Sequence, residues 1–240
     1  MRDRRNPVVA IEGATVFVTG ASGGLGAEFV EQALQLGAAK VYASARRPLV
    51  FGDPRVEALK LDVTHQDAVA RAVAAAPDTT ILINNAGRPG RTPLVESSLE
   101  DIRAVYDTNV FAPIALAQSF APVLAGNGGG AIVNVLSVMS WVPRPGAYNS
   151  SKSALWGATN SLRVELARQG TLVVGAHLSY TDTPMTKALD VPKASARDIV
   201  AAIYSGVVEG AVEVLADDAS RRVKALLAGD VTALEAALFE

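Results

Sequence analysis

The chain has 240 residues, half of them apolar, which is enough to bury one sizeable core. Its net charge of −2 gives no electrostatic basis for binding nucleic acid or an anionic membrane. Because the chain has no cysteine and two isolated histidines, His65 and His177, it can form no disulfide and no familiar zinc site, so we expect no metal.

The first ten residues carry a short basic run, Arg2, Arg4 and Arg5, that is typical of a frayed terminus. The sequence shows neither a signal-peptide pattern nor an apolar stretch approaching twenty residues, so we expect a cytoplasmic protein without a membrane partner. No repeat or linker divides the chain, which predicts a single domain over residues 1–240.

An apolar, β-branched run at residues 15–19 predicts a buried strand, and a helical pattern follows at 27–34. The glycines at positions 20, 24 and 26 can adopt positive φ and approach a ligand closely. Free N–H groups at the start of a helix attract a phosphate. The stretch therefore predicts a pyrophosphate site.

Two other interpretations of this stretch stay open. It can be a merely tight turn between a strand and a helix. It also matches G-x-S-x-G, the nucleophile elbow of α/β-hydrolases, which would make Ser22 a nucleophile. That elbow requires earlier strands and an oxyanion loop, whereas fewer than two dozen residues precede Ser22.

A second strand, predicted at 40–45, ends at Arg46 and Arg47. In a βαβ unit this strand end faces the adenosine ribose, where an acidic residue would bind the 2′-hydroxyl of NAD. Arg46 can instead pair with a 2′-phosphate through a forked, charge-assisted contact, which favours NADP(H). The alternative is that the two arginines are a solvated loop pair.

The next elements place polar residues at strand ends. A third strand is predicted at 56–62 and a helix at 65–76, with Asp62 or Thr64 as its N-cap. A fourth strand at 80–83 leads into Asn84, Asn85, Ala86 and Gly87. Small and amide residues at the carboxyl end of a parallel strand lie where open α/β sheets bind ligands.

A long helical pattern covers 97–125, with Ser97 or Ser98 as N-cap and a kink expected near Pro113. Asn109 lies within it among apolar neighbours. Because a buried amide without a partner is costly, Asn109 either satisfies backbone groups or positions a water or a side chain in a site. A fifth strand, predicted at 131–136, ends at Ser137.

After a loop at 138–146, a helix begins with Tyr148 and runs to about residue 168, and Lys152 follows one turn later on the same face. A phenol is a poor proton donor or acceptor at neutral pH, and a nearby ammonium lowers its pKa towards the working range. The pair predicts acid–base chemistry. The same spacing is also common in ordinary amphipathic helices.

The remaining predicted elements are a sixth strand at 171–178, an irregular segment at 186–194, a helix at 196–207 capped by Ser195, a seventh strand at 211–216 and a last helix from Ser220. His177 is interpreted as a core histidine, and residues 184–210 as a segment beside the substrate. The alternation predicts an α/β fold, a single Rossmann-like doubly wound parallel sheet of about seven strands with helices on both faces.

Together, these motifs resemble the short-chain dehydrogenase/reductase family over residues 14 to about 216. The resemblance implies a catalytic tetrad of Asn109, Ser137, Tyr148 and Lys152. It also implies an NADP(H) cofactor bound by Gly20, Ser22, Gly23, Gly24, Leu25, Gly26, Arg46, Asp62, Val63, Asn85, Ala86, Gly87, Tyr148, Lys152 and Thr183.

In the mechanism that the resemblance implies, Tyr148 protonates the carbonyl oxygen during reduction or takes the hydroxyl proton during oxidation, and Ser137 holds that oxygen. Lys152 holds the nicotinamide ribose and lowers the pKa of the tyrosine. Asn109 keeps a proton-relay water in place, and Thr183 orients the nicotinamide for hydride transfer.

Two positions differ from the family pattern. The segment between Ser137 and Tyr148 is slightly short, so Ser140 is an alternative serine. Leu178 and Ser179 replace the family's Pro-Gly, which predicts an altered backbone beside the nicotinamide.

We therefore expect an NADPH-dependent carbonyl reductase or alcohol dehydrogenase for a largely apolar ketone, aldehyde or secondary alcohol. The residues that flank the presumed site are mostly apolar: Trp141, Val142, Pro143, Tyr180, Met185 and Leu189. The alternatives are a reductase for 3-oxoacyl substrates linked to CoA or a carrier, and a non-catalytic NADP-binding redox sensor. The resemblance also implies a homo-oligomer, a dimer or tetramer, formed through residues 97–125 and 150–168.

Overall fold

The computed structural model describes residues 7–47 and 49–236, so the basic run of Arg2, Arg4 and Arg5 lies outside the described residues. The strands are β1 (Thr15–Thr19), β2 (Lys40–Ala45), β3 (Val56–Lys60), β4 (Ile81–Asn84), β5 (Gly130–Val135), β6 (Thr171–His177) and β7 (Glu213–Leu215). The helices are α1 (Leu25–Gln35), α2 (Gln66–Ala75), α3 (Leu99–Tyr106), α4 (Ala112–Gly126), α5 (Ala147–Leu166), α6 (Ala196–Val208), α7 (Asp218–Ala225) and α8 (Val231–Ala236).

These strands form one parallel sheet in the order β3-β2-β1-β4-β5-β6-β7. β1 pairs with β2 on one side and with β4 on the other, so the strand order reverses direction at β1. Open α/β sheets bind ligands at such a switch point, at the carboxyl ends of the strands. The predicted α/β fold with a doubly wound parallel sheet is confirmed.

The side chains of each strand alternate between two cores, one on each face of the sheet. On one face, Val16 and Val18 of β1 belong to the same core as Phe29 of α1. On the other face, Phe17 packs on Phe120 of α4, with ring centroids 4.9 Å apart. Because a core covers each face of the sheet, the central strands are continuous apolar runs in the sequence.

Most predicted helix starts agree with the structure. Ser98 and Ser195 cap α3 and α6 by accepting backbone N–H bonds, as predicted. The cap predicted for α2 is wrong, because His65 is its N-cap and makes no side-chain cap hydrogen bond. The carboxylate of Asp62 instead accepts hydrogen bonds from the N–H and hydroxyl of Thr64, at 3.1 and 2.7 Å, in a local turn.

The elements after β6 differ most from the prediction. β7 has three residues instead of the six predicted at 211–216. α7 begins before Ser220, because Asp217 caps it and forms a reciprocal capping box with Ser220. The sequence analysis did not predict α8.

The long helix predicted at 97–125 contains a π-helical turn, Asp107–Phe111, between α3 and α4. Pro113 follows the turn directly, has no N–H to donate, and its ring crowds the carbonyl four residues earlier, which belongs to Asn109. The interruption of the α-helix near Pro113 is thus a π turn, and Asn109 lies within it.

Residues 99–126 are long and apolar enough to cross a membrane, by length and composition, with a mean hydropathy of 1.3 over eighteen residues. The expectation that no apolar stretch approaches twenty residues was therefore wrong. A buried core helix passes the same test, and here Leu116, Phe120 and Leu124 belong to the core on one face of the sheet.

Candidate active site

A cleft of about 760 Å³ opens beside the carboxyl ends of β1 and β4. Most of the predicted cofactor residues line it: Gly20, Ser22, Gly23, Gly24, Leu25, Arg46, Asp62, Val63, Asn85, Ala86, Gly87, Tyr148, Lys152 and Thr183. Ser137 lines it as well, whereas Gly26 and Asn109 do not. The fold thus brings the glycine turn and the tyrosine–lysine pair, which are far apart in sequence, to one cleft.

The glycine turn connects β1 to α1. Gly20 and Gly24 have φ angles of 69° and 55°, a left-handed conformation that glycine adopts without strain. Gly24 is the N-cap of α1, and no side chain caps this helix. The first N–H groups of α1 are therefore left to bind an anion in the cleft.

Gly26, which is predicted to bind the cofactor, does not line the cleft itself and supports the glycine turn from behind. It is buried, and a Cβ atom at this position would lie 2.1 Å from the carbonyl oxygen of Gly20. The absence of a side chain therefore lets α1 pack closely against the end of β1.

Arg46 and Asp62 lie on one side of the cleft, just after β2 and β3. Burial raises the pKa of Asp62, but the hydrogen bonds from Thr64, together with electrostatic contributions from His65 and Arg46, outweigh it, and the pKa falls below its ordinary value. The side chain of Arg46 is exposed. The guanidinium of Arg46 and the carboxylate of Asp62 thus both belong to this side of the cleft.

The polar segment after β4 is tied to the end of β1. The hydroxyl of Thr19 accepts hydrogen bonds from the N–H groups of Asn85 and Ala86, at 2.9 and 3.0 Å. The amide of Asn85 donates to the carbonyl of Thr19 at 2.9 Å. Asn84 is buried and donates instead to Oδ1 of Asn134 in β5, at 2.8 Å, so its role is structural.

Tyr148 and Ser137 both line the cleft, and the side chain of Ser137 lowers the pKa of Tyr148, so the two hydroxyl groups are neighbours. Ser137 Oγ accepts from the N–H of Met139 at 3.2 Å. Burial raises the pKa of Tyr148 to about 12, and the neighbouring Ser137 side chain and the positive charge of Arg91 only partly oppose this. The phenol is therefore protonated at neutral pH.

Lys152 is buried one helical turn after Tyr148. Its Nζ donates to the carbonyl of Val135 at 2.6 Å and lies 5.6 Å from the centre of the Tyr148 ring. Burial lowers the pKa of Lys152 from 10.5 to about 8. The expected lowering of the Tyr148 pKa is not seen in this structure, because desolvation of the buried phenol outweighs the groups that lower its pKa.

Asn109 is almost fully buried, and the protein itself uses its amide. Oδ1 accepts from the N–H of Arg88 at 2.8 Å, and Nδ2 donates to the carbonyl of Arg88 at 2.9 Å and to Ser151 Oγ at 3.0 Å. The predicted role of Asn109 in keeping a proton-relay water in place stays a prediction. Of the two alternatives, the structure supports the one in which Asn109 satisfies backbone groups, and it links the segment after β4 to α5.

Comparison with known proteins identifies the family. The family profile for short chain dehydrogenases matches residues 14–194, about three quarters of the chain. The chain belongs to the short-chain dehydrogenase family. The resemblance inferred from its motifs is confirmed.

Solved and curated members of the family show how similar this short-chain dehydrogenase is to known enzymes. A short chain dehydrogenase from Burkholderia cenocepacia J2315, solved with NADP, is 37% identical, with a TM-score of 0.90 and coverage of 97% of this chain and all of the other. One from Sphingobium yanoikuyae, solved with NADPH, is 27% identical, with a TM-score of 0.76, covering 84% and 86%. Gluconate 5-dehydrogenase from Gluconobacter oxydans is 34% identical over 75% of this chain and 76% of its own.

In this short-chain dehydrogenase, the segment after β6 lines the cleft and packs against the glycine turn. A Cβ atom on Gly24 would lie 3.2 Å from the side chain of Thr183. Arg91, which the sequence analysis did not single out, donates from Nη2 to the carbonyl of Met185 at 2.6 Å. No motif marks Arg91, because its partner is a backbone atom brought near only by the fold.

Leu178 and Ser179, which replace the family's Pro-Gly, both line the cleft. The N–H of Ser179 donates to Oδ2 of Asp217 at 2.7 Å, while Oδ1 of the same carboxylate accepts from the N–H of Ser220 at 2.6 Å. One carboxylate thus holds the backbone after β6 and caps α7. The sequence analysis did not identify this role of Asp217.

Two alternative serines are placed differently from Ser137. Ser140 Oγ is buried without a hydrogen-bond partner in the part of the chain that the structure describes, and it does not line the cleft. Ser22 lines the cleft, but across the described residues no hydrogen bond joins it to His65 or His177. The hydrolase interpretation therefore lacks a general base.

The residues expected beside the substrate are only partly in place. Met185 lines the cleft. Trp141 and Val142 are buried in a separate apolar cluster with Val223 of α7, so they are core residues in this structure. The other three, Pro143, Tyr180 and Leu189, do not line the cleft either.

Proposed function

We propose that this short-chain dehydrogenase is an NADPH-dependent carbonyl reductase or alcohol dehydrogenase. The observation that carries the proposal is one cleft lined by the Tyr148 phenol, its neighbour Ser137, Lys152 and the glycine turn. A protonated phenol next to a hydroxyl group is suited to donate a proton to a carbonyl oxygen. This arrangement favours acid–base catalysis over a purely cofactor-sensing role.

The residues of the cleft fit a dinucleotide cofactor. The uncapped N-terminus of α1 offers N–H groups to a pyrophosphate, and Gly20 and Gly24 leave space for it. We propose that the lining residues Ser22, Gly23, Leu25, Asp62, Val63, Asn85, Ala86, Gly87, Lys152 and Thr183 hold the rest of the cofactor. When bound, the nicotinamide supplies or accepts the hydride.

The preference for NADP(H) is supported by Arg46. Its exposed guanidinium at the end of β2 is free to form a forked contact with a 2′-phosphate. Two structures similar to this chain were solved with NADP and NADPH. Asp62, ionised beside Arg46, is fixed by Thr64 and faces the same side of the cleft.

In the proposed reaction, Ser137 Oγ holds the substrate oxygen and Tyr148 transfers a proton to it or from it. Because the pKa of Tyr148 is raised to about 12, the phenol holds its proton at neutral pH, as reduction requires. Lys152 places a buried positive charge close to the phenol. Asn109 acts as a positioning residue that fixes Arg88 and the start of the loop after β4.

We propose a largely apolar ketone, aldehyde or secondary alcohol as substrate. Met185 provides an apolar wall of the cleft, and Leu178 lies near Ser137 at its end. A screen that follows cofactor oxidation should include apolar ketones, polyol acids and 3-oxoacyl-CoA, because the relatives differ in substrate. Faster turnover of 3-oxoacyl-CoA than of simple ketones would replace this assignment with the 3-oxoacyl alternative.

The proposed chemistry is tested by Tyr148→Phe. We expect turnover of every substrate in the screen to fall to background, while NADPH binding, measured by fluorescence titration, is retained. The matched control is Tyr42→Phe, which removes a phenol hydroxyl bonded to Lys40 and Asp78 at the far side of β2. Near-normal turnover by Tyr148→Phe would remove the phenol from the reaction.

We also propose that the chain forms a homo-oligomer through α3, α4 and α5. Large apolar side chains are exposed on α3, on the π turn and on α5, with Leu99 66%, Phe111 58% and Val164 66% accessible in the isolated chain. Light scattering that gives the mass of one chain at micromolar concentration would contradict this proposal.

A further inference from the structure

His177 lies at the end of β6, fully buried, and has no part in the reaction described above. Its ring stacks on Trp141, with centroids 3.8 Å apart and planes at 21°. Trp156 of α5 meets the same ring edge-on, with centroids 6.4 Å apart. A polar ring enclosed by two indoles has a fixed orientation.

The orientation of the ring aims one nitrogen at the backbone of Ser137. His177 Nδ1 lies 3.2 Å from the carbonyl oxygen of Ser137. A carbonyl oxygen only accepts hydrogen bonds, so Nδ1 carries the hydrogen and donates it. The same carbonyl oxygen also accepts from the N–H of Ser140 at 3.0 Å.

The other ring nitrogen, Nε2, then carries a lone pair and no hydrogen. Within the described residues, Nε2 has no hydrogen-bond partner, and the carboxylate of Glu213 lies 3.7 Å away. A neutral ring avoids burying a positive charge, and burial lowers the pKa of His177 to about 3. The neutral ring therefore has one N–H group, at Nδ1, and this group donates to the carbonyl oxygen of Ser137.

The backbone that receives this bond is a short turn, residues 137–141, which we call the serine turn. It begins with Ser137 as the N-cap of the 3-10 helix Val138–Ser140 and ends at Trp141. His177 contacts both ends, through a hydrogen bond at Ser137 and through stacking at Trp141. From this same turn, Ser137 lines the cleft beside Tyr148 and lowers its pKa.

We propose that His177 is a positioning residue that holds the serine turn so that the Ser137 hydroxyl is aligned with Tyr148 and the substrate oxygen. The inference rests on the proposed function, because it requires Ser137 to act in the reaction. A misplaced catalytic hydroxyl lowers the rate without preventing the cofactor from binding.

The test uses three substitutions at His177 that separate the ring from the donor. His177→Phe keeps a stacked ring and loses the donor. His177→Asn keeps an N–H donor near the position of Nδ1, and His177→Gln moves the donor towards the position of Nε2. We expect kcat to fall about 10- to 100-fold in His177→Phe and His177→Gln. Losses of this size are found when a group that orients a metal-binding residue is removed, which is a comparable positioning role. Asn should recover most of the loss.

Two controls accompany these variants. Val173→Ala removes buried volume on the same face of β6 and should lower the melting temperature while leaving kcat near the wild-type value. Ser137→Ala measures the whole contribution of the hydroxyl, about 100- to 1000-fold in kcat for an oxyanion-holding donor. NADPH affinity should stay within about threefold of wild type in every His177 variant, because they leave the glycine turn intact.

Three outcomes would overturn the inference. A Phe variant with wild-type kcat, beside a slow Ser137→Ala, would reject the role of His177 alone. Equal losses of kcat in His177→Asn and His177→Gln would mean that the position of the donor does not matter, and would reject the positioning role. This comparison tests the inference even if His177→Phe does not fold. Full activity of Ser137→Ala would reject the proposed role of the serine together with any residue that positions it.

Discussion

Burial of Lys152 predicts that removing this lysine stabilises the protein. Lys152 is 5% exposed, its ammonium donates to one carbonyl, and no carboxylate pairs with it among the described residues. Its pKa falls from 10.5 to about 8 because the charged form is desolvated. At 1.36 kcal/mol per pH unit, holding the proton in the folded state costs about 3 kcal/mol.

The sign of the pH dependence follows from the two pKa values. Below pH 8 both states carry the proton and the full cost is present in the folded protein. Between pH 8 and 10.5 the unfolded chain binds more protons than the folded chain, so wild-type stability rises with pH. Above 10.5 the cost is gone.

We expect the free energy of unfolding of Lys152→Met to exceed that of wild type most at pH 7. At pH 7, removing the desolvated charge raises the free energy of unfolding by about 3 kcal/mol. Loss of the hydrogen bond to Val135 lowers it by about 1.5 kcal/mol or more. The diagnostic quantity is the change in this difference, which should fall by about 3 kcal/mol as the pH rises past 10. Turnover should be lost in the same variant.

Urea unfolding, followed by tryptophan fluorescence at pH 7, 8, 9 and 10, measures the difference. Leu155→Ala is the control, because it removes a buried apolar side chain from the same helix and should lower stability by about 2–5 kcal/mol equally at each pH. If the Lys152→Met and wild-type curves run parallel from pH 7 to 10, the lysine is not desolvated and the reasoning fails.

Two other predictions concern the cofactor side of the cleft. Arg46→Asp should raise the Michaelis constant for NADPH far more than that for NADH, since a carboxylate repels the 2′-phosphate; an unchanged NADPH/NADH ratio in steady-state kinetics would refute the role of the arginine. Gly26→Ala should weaken NADPH binding by more than tenfold (about 1.4 kcal/mol) and lower stability, because its Cβ would lie 2.1 Å from the Gly20 oxygen. Wild-type affinity in a fluorescence titration would show that the turn tolerates this methyl group.

The central strands were predicted nearly to the residue. β1 and β2 match the expected ranges because a strand buried on both faces must be apolar along its whole length, and that pattern is local. β7 was predicted too long, since it lies at the edge of the sheet and its length depends on how far β6 extends beside it. The predicted cap of α2 was wrong because the carboxylate of Asp62 accepts hydrogen bonds from Thr64 in a local turn and does not cap the helix.

The sequence predicted which residues line the site better than it predicted their pKa values. The lining of the cleft includes Ser137, Tyr148 and Lys152, as the motifs indicated. The direction of the tyrosine pKa was predicted wrongly, because helical spacing gives proximity but does not give burial or the direction of an ammonium. Asn109 was left between two roles, and only the position of Arg88 decided between them.

The sequence by itself determined the alternation of strands and helices, the family, and the residues that line the cleft, because all of these are written in local patterns and spacings. Tertiary structure alone decided which groups lose their water and which atoms they face. Burial sets the pKa values of Tyr148 and Lys152, and the end of β6 brings His177 against Ser137. Desolvation and hydrogen-bond direction depend on neighbours from distant parts of the chain, which no single stretch of sequence contains.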